Sequence, residues 1–298
     1  MSFGFQALLR FMLYIFMPQV WVRICDNLIE FYAKHELIKS HQNLLDKSLN
    51  ATMKVVIFIA CLHVTCIYGP QLFCLVNFLV FDGTVLPYPV SVPFVEHDTS
   101  MSFIANFPLQ ILMGLVVVLG FVSADSLSFA FALQTMALVD VIENDFEEFS
   151  AVLSRQNEAE IDHMMQKVID SHRDLKEYHK LLRYFGNQQF SMIVFCNVYV
   201  ICACGLSLLT SDYYSAFGIA IQSLIQLLIA CVMGTFISHQ HERLLNILMM
   251  FNWYELPVLQ QKNFLTFLID CQIVLNLKPI FIGVIDMELF ITVSLDKI

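Results

Sequence analysis

Four stretches of this chain, 55–81, 99–124, 184–211 and 213–241, contain no Asp, Glu, Lys or Arg. A helix needs about 20 mainly apolar residues to cross the hydrocarbon of a bilayer, and each run is long enough. In hydrocarbon every backbone N–H and C=O must be paired internally, so such runs are either helices or strands of a closed barrel. Their length and their lack of two-residue alternation exclude the barrel. Composition agrees, since 58% of residues are apolar and 14% charged, against about half and a quarter in soluble domains. The expected fold is all-α, a multi-pass transmembrane helical bundle.

Charges between the runs set the expected orientation. The connector 82–98 holds Asp82, Glu96 and Asp98 without Lys or Arg, and the turn at Asp212 also lacks them. By contrast Arg23, Lys34, Lys39, Lys47 and Lys54 precede the first run, Arg155, Lys167, Arg173, Lys176, Lys180 and Arg183 separate the second from the third, and Arg243 and Lys262 follow the fourth. Cationic loops stay on the cytoplasmic side. That places 23–54, 140–183 and 242–262 inside, with 82–98 and the Asp212 turn outside. The sequon Asn50-Ala51-Thr52 then faces the cytosol and stays unmodified. The net charge of -10 is spread through 140–177 beside many bases. It reads as a solvated helical face, and no nucleic-acid partner follows from it. Cys61, Cys66, Cys74, Cys196, Cys202, Cys204 and Cys231 fall within the runs, Cys25 and Cys271 on the inner side. No disulfide framework is implied.

The apolar stretch 11–22 is too short to span and is interrupted in its region by Arg10 and Pro18. It reads as the inner end of a helix whose beginning precedes Met1, with an interfacial amphipathic helix as the alternative. Asp125 interrupts the second run near the end of a span of about 20 residues counted from Ile104, which favours a charge at the inner interface over one in an ion pathway. Apolar residues resume over 126–139, so the helix is expected to continue as a cytoplasmic projection. Within EAEIDHMMQKVIDSHRDLKEYHKLL, Ile161, Met164, Met165, Val168, Ile169, Leu175 and Leu182 recur at helical spacing.

His163, His172 and His179, joined by His239 and His241, raise a metal hypothesis. Zinc needs three or four converging ligands, usually from tighter sequence pairs. Solvent-side histidines on long helices are the preferred reading, with no metal and no cofactor. No Ser/His/Asp arrangement, phosphate-cradling glycine loop or HExxH motif marks an enzyme.

Ligand binding is the better expectation. Tyr68, Phe73 and Phe78, then Phe103, Phe107 and Met113, and finally Tyr213, Tyr214 and Phe217 lie at similar depth near the outer ends of three runs. Pockets for small molecules are mostly apolar and aromatic and form between bundle helices. Core filling is the competing explanation for each residue taken singly.

The C-terminal segment is the most specific. Trp253-Tyr254, Leu256 and Pro257, the helix from Gln261 through Cys271-Gln272, Lys278-Pro279, and Phe290 followed by Thr292-Val293-Ser294-Leu295-Asp296 together resemble the C-terminal signature of the insect odorant receptor family. The outer stretch 86–94, LPYPVSVPF, fits the same family. The resemblance implies seven helices with a cytoplasmic N-terminus, and an odorant-gated, non-selective cation channel built with a shared co-receptor as a heterotetramer in the plasma membrane of olfactory sensory neurons. The implied partners are a volatile small molecule, the co-receptor and membrane lipid. It also implies a cytoplasmic anchor where subunits associate, here including Trp253, Tyr254, Phe264, Phe267 and Cys271, and a pore-lining helix whose start holds Phe290, Thr292, Ser294 and Leu295.

On this basis 1–52 is the inner end of a helix plus a cytoplasmic connector, 53–238 a transmembrane bundle with a projection at about 126–186, and 239–298 the anchor and the start of the last helix. The family's first helix and much of its second and last are expected to lie beyond the two ends, and the chain by itself is expected not to conduct. A gustatory receptor of the same architecture is the alternative. A rhodopsin-like receptor lacks support because its Asp-Arg-Tyr and Asn-Pro-x-x-Tyr motifs are missing. A transporter would usually show helices broken near the midplane, whereas Pro70 and Pro108 sit towards the outer half.

Overall fold

The computed structural model describes residues 2–81, 84, 86–88, 100–155, 157–210 and 215–272. They form α1 (Ser2–Phe16), α2 (Pro18–His35), α3 (Lys39–Phe81), α4 (Ser100–Leu153), α5 (Glu158–Thr210), α6 (Ser215–Met250), a 3-10 turn (Trp253–Glu255) and α7 (Val258–Cys271). No strand occurs among the described residues, so the fold is all-α as expected.

Helix boundaries follow local chemistry. Met17 leaves helical geometry at φ -119° and ψ 43°, and Pro18 opens α2. Proline disfavours helical backbone in the residue before it, and its missing N–H would have been unpaired at a helix start anyway. Lys34 and His35 occupy the last turn of α2 and Glu158 and Glu160 the first turn of α5, each matching the helix dipole. Among the described residues four helices, α3 to α6, are each long and apolar enough to cross a membrane, and α1 and α2, bent by 71° at Met17, reach that length and apolarity as a pair. α4 has 54 residues, about 80 Å at 1.5 Å per residue, while the hydrocarbon is about 30 Å thick. Much of it therefore lies beyond the bilayer.

The chain divides into two compact units, one of residues 1–16, 55–128 and 189–230, the other of 17–54, 129–188 and 231–298. The first takes most of the uncharged runs, and the second most of the charged residues.

In the uncharged unit, the most apolar windows of α3 to α6 are only 22% to 44% buried. Phe58, Phe81, Phe195 and Leu209 are among the exposed apolar side chains, as lipid-facing residues must be. Its interior includes a cluster of Ala7, Ile67, Val118 and Phe121 with Tyr68 against it. Small residues let helices approach: a Cβ added at Gly120 would come within 3.1 Å of the Ala7 Cβ, and one at Gly114 within 2.6 Å of the Gln71 amide nitrogen.

Aromatic packing forms the interior of the charged unit. Phe146 lies 5.2 Å from Phe251 and 6.4 Å from both Phe264 and Phe267, ring centre to ring centre. α7 buries Phe264, Phe267 and Cys271 and exposes Val258, Leu265 and Ile269 on other positions. The acid-rich stretch is only partly the solvated face that composition implied. Asp145 is fully buried, where it accepts from Lys167 at 2.7 Å and Ser171 at 3.0 Å and lies 3.3 Å from His41. Asp140, buried as well, pairs with Arg243 at 2.6 Å.

Candidate ligand-binding site

At the C-terminal end of α3 and the N-terminal end of α4, Phe78 stacks on Phe103 at 4.2 Å and Phe103 on Phe107 at 4.9 Å. Cys74 completes the buried cluster, with Leu75 and Leu86 packed against it. Helical spacing explains the alignment, because Phe103 and Phe107 are one turn apart on α4. Offset stacking adds to the burial of such rings.

Polar groups border this stack. The Gln110 side chain donates from Nε2 to the Tyr88 carbonyl at 2.9 Å and accepts from the Tyr88 N–H at 3.2 Å, while the Tyr88 hydroxyl donates to the Ile67 carbonyl at 3.1 Å. One glutamine thereby satisfies both backbone groups of a connector residue in an apolar setting. Gln71 donates to the Gln110 carbonyl at 3.2 Å, and its own side-chain oxygen is buried without a partner among the described residues. Such an acceptor suits a donor arriving with a ligand. Gln71, Tyr88 and Gln110 were not among the residues singled out in the sequence; a search for uncharged polar residues inside the apolar runs finds the two glutamines.

Of the expected ligand residues, Phe78, Phe103 and Phe107 come together. Tyr68 belongs instead to the cluster around Phe121. Phe73, Met113 and Phe217 are 73%, 41% and 62% exposed, on surface of the uncharged unit. Tyr213 and Tyr214 lie outside the described residues, as do Phe290, Thr292, Ser294 and Leu295. Among the anchor residues, Trp253 stacks over Phe264 at 6.4 Å, Phe264 lies 6.1 Å from Phe267, and Cys271 is buried with its sulfur 3.1 Å from His172 Nε2. Tyr254 is exposed.

A second polar cluster lies inside the uncharged unit. Asp125 receives Arg10 Nη1 at 2.7 Å on one carboxylate oxygen and faces His63 Nε2 at 3.1 Å with the other. The guanidinium also covers the Phe121 ring at 5.0 Å and reaches Gln226 Oε1 at 3.4 Å. Gln6 donates to that same oxygen at 3.0 Å and to Asn197 at 3.3 Å. The charge read as a residue of the inner interface is buried within the protein, with Arg10 as its counter-ion. Buried charges pair in this way because an isolated one is costly.

The histidines divide. His163 and His239 are exposed as expected, but His172, His179 and His241 are buried, which corrects the solvent-side reading for those three. Each lies at an inward position of its helix, a distinction that spacing among histidines alone does not carry. Burial lowers His172 to about 4 and His179 to about 3, so both are neutral at physiological pH. It pushes the Cys271 thiol up to about 12. Among the described residues no trio of His, Cys, Asp or Glu is grouped to hold a metal.

No curated protein sequence matches the chain. Among solved structures it is similar to the insect olfactory receptor OR5 from Machilis hrabei, with a TM-score of 0.67 and 12% identity over 98% of this chain and 76% of that one. The same receptor in complex with eugenol gives a TM-score of 0.74 and 13% identity with the same coverage. At these identities the likeness speaks to the fold alone, a helical membrane bundle. A family model for the 7tm odorant receptors matches residues 2–294. This chain, a multi-pass membrane protein and not an enzyme, belongs to the 7tm odorant receptor family.

Proposed function

We propose that this chain is an odorant-binding subunit that works with a shared co-receptor, in a heterotetramer, to gate a non-selective cation conductance in olfactory sensory neurons. The observation that carries the reading is the stack of Phe78, Phe103 and Phe107 beside the Gln71, Gln110 and Tyr88 polar border. A mostly apolar cluster with a few placed polar groups beside it is the lining a small volatile molecule needs. The partnerless Gln71 oxygen favours ligands that bring a hydroxyl donor. Support from relatives is consistent, since the similar OR5 receptor was solved in complex with eugenol.

Gating follows from linkage. A ligand that wedges into the stack opens the pore only as far as it binds the open arrangement better than the closed one. The stack touches the connector through Leu86 and the Gln110 clamp on Tyr88, so its occupancy is coupled to connector position. The charge asymmetry of the connectors supports a cytoplasmic N-terminus and an inner charged unit. For assembly, the exposed Tyr254, Val258, Leu265 and Ile269 offer apolar surface outside the bilayer segments, where an uncovered patch marks a protein contact.

The test is co-expression with the co-receptor, surface delivery checked by labelling, and whole-cell recording during a panel of volatile alcohols, phenols and hydrocarbons. Currents that require both chains, with hydroxyl-bearing ligands the most potent, are expected. Responses identical to those of the co-receptor alone would remove the proposal.

A further inference from the structure

Within the charged unit, a cavity of about 150 Å³ opens between α5, α6 and α7, with His172, His179 and His241 in its wall. All three are more than nine-tenths buried. Neither ring nitrogen of His241 has a hydrogen-bond partner among the described residues, and neither does His179 Nε2. Buried imidazole nitrogens facing a cavity with nothing to bond are costly, and a chain that needed only filling there would be better served by leucine.

Cations rim the same cavity. Lys176, Lys180 and Arg183 line it, as does Asp270. Lys176 is bonded to the Asp270 carboxylate at 2.6 Å, so that acid is neutralised. Lys180 and Arg183 have no carboxylate within ion-pair distance among the described residues. A metal does not fit this set, because no trio of ligating side chains is grouped for one, and Cys271 holds its proton. What remains is a pocket of imidazole N–H donors under two unpaired cations, the donor set for an oxyanion.

Location adds a further constraint. Arg183 immediately precedes the uncharged run 184–211, and His241 is the last residue of the run 213–241. The cavity therefore lies beside the ends of both uncharged runs, on the side of the cations that flank them. Basic pockets between helices on that side of a membrane protein take anionic headgroups.

We infer that this cavity binds a phosphate group, with Lys180 and Arg183 supplying charge and His179 and His241 supplying donors. The phosphate arrives on a phosphomonoester lipid headgroup or free in solution, and the two sources are separable by experiment.

The chain is reconstituted in phosphatidylcholine nanodiscs with a minor fraction of phosphatidylinositol bisphosphate, and retained lipid is counted by native mass spectrometry. In parallel, inorganic phosphate is titrated while the thermal midpoint is followed. Retention of one phosphoinositide, weakened about tenfold or more by Lys180→Gln with Arg183→Gln, supports a headgroup site. A phosphate-dependent rise in midpoint without lipid retention, lost in the same variant, supports a free-phosphate site. The matched control removes charge elsewhere on exposed residues, Arg23→Gln with Lys47→Gln, and should leave both readouts unchanged. His241→Gln, which keeps an N–H donor, should weaken binding less than His241→Leu. Absence of both effects, or equal loss in the control pair, overturns the inference.

Discussion

Separated by 115 positions in sequence, Arg10 and Asp125 meet at 2.7 Å with both side chains almost sealed from the exterior. Gln6, His63, Asn197 and Gln226 extend the contact into a network that joins α1, α3, α4, α5 and α6 within the uncharged unit. Removing one partner strands the other in a medium that cannot solvate it.

Arg10→Met should therefore cost about 3–5 kcal/mol, as breaking a buried pair does. The double variant Arg10→Met with Asp125→Leu should recover most of that loss, because neither charge is left behind. Thermal unfolding of the four proteins in nanodiscs completes the cycle. Additive losses would mean that the pair does not act as a unit.

Gly114 and Gly69 make a matched pair for helix approach. An added methyl at Gly114 falls 2.6 Å from the Gln71 amide nitrogen, whereas one at Gly69 meets nothing within 4 Å. Gly114→Ala should displace that amide and lose its bond to the Gln110 carbonyl, a cost of about 1 kcal/mol. Gly69→Ala should be neutral or slightly stabilising, since alanine favours helix. Unfolding midpoints of both variants decide it, and equal effects would count against the close approach.

Acid should loosen the charged unit. Burial lowers His172 to about 4, so an unfolded chain takes up the proton first. The resulting stability is complete above about pH 6.5 and is lost as pH falls through about 4. The effect is about 3 kcal/mol for a shift of this size. His172→Gln should flatten the midpoint between pH 6.5 and 4, measured in detergent. An unchanged acid slope would show that other groups dominate.

Sidedness is open to a direct check. An epitope placed within 150–160 should be reached by antibody only after permeabilisation, and Asn50, exposed on α3, should carry no glycan. Labelling of intact cells, or a glycan on Asn50, would reverse the orientation.

Uncharged runs and the charges flanking them were enough to read the membrane helices, because transfer of charge into hydrocarbon is the largest local cost a sequence carries. Pairing between distant elements was not legible. Asp125 showed itself as an anomaly in a run, but nothing local joins it to Arg10, whose own position looked like an interruption. Which aromatic residues meet was not legible for a related reason. A phenylalanine is equally at home on a lipid-facing surface, as at Phe73, and in a stack, as at Phe103, so residue type and depth could not separate them. Gln110 stands out in its run as a polar residue, but its bonds to Tyr88, 22 positions away, were not legible.

Binding of volatile ligands to the chain in nanodiscs tests the central claim most directly, followed for the original protein and for Phe107→Ala, Gln110→Leu and Phe73→Ala. Saturable binding that weakens about tenfold or more at Phe107 and Gln110, with Phe73→Ala unchanged, is the expected result. Saturable binding that all three substitutions leave alike would contradict the site, and no saturable binding of any panel member would contradict the function.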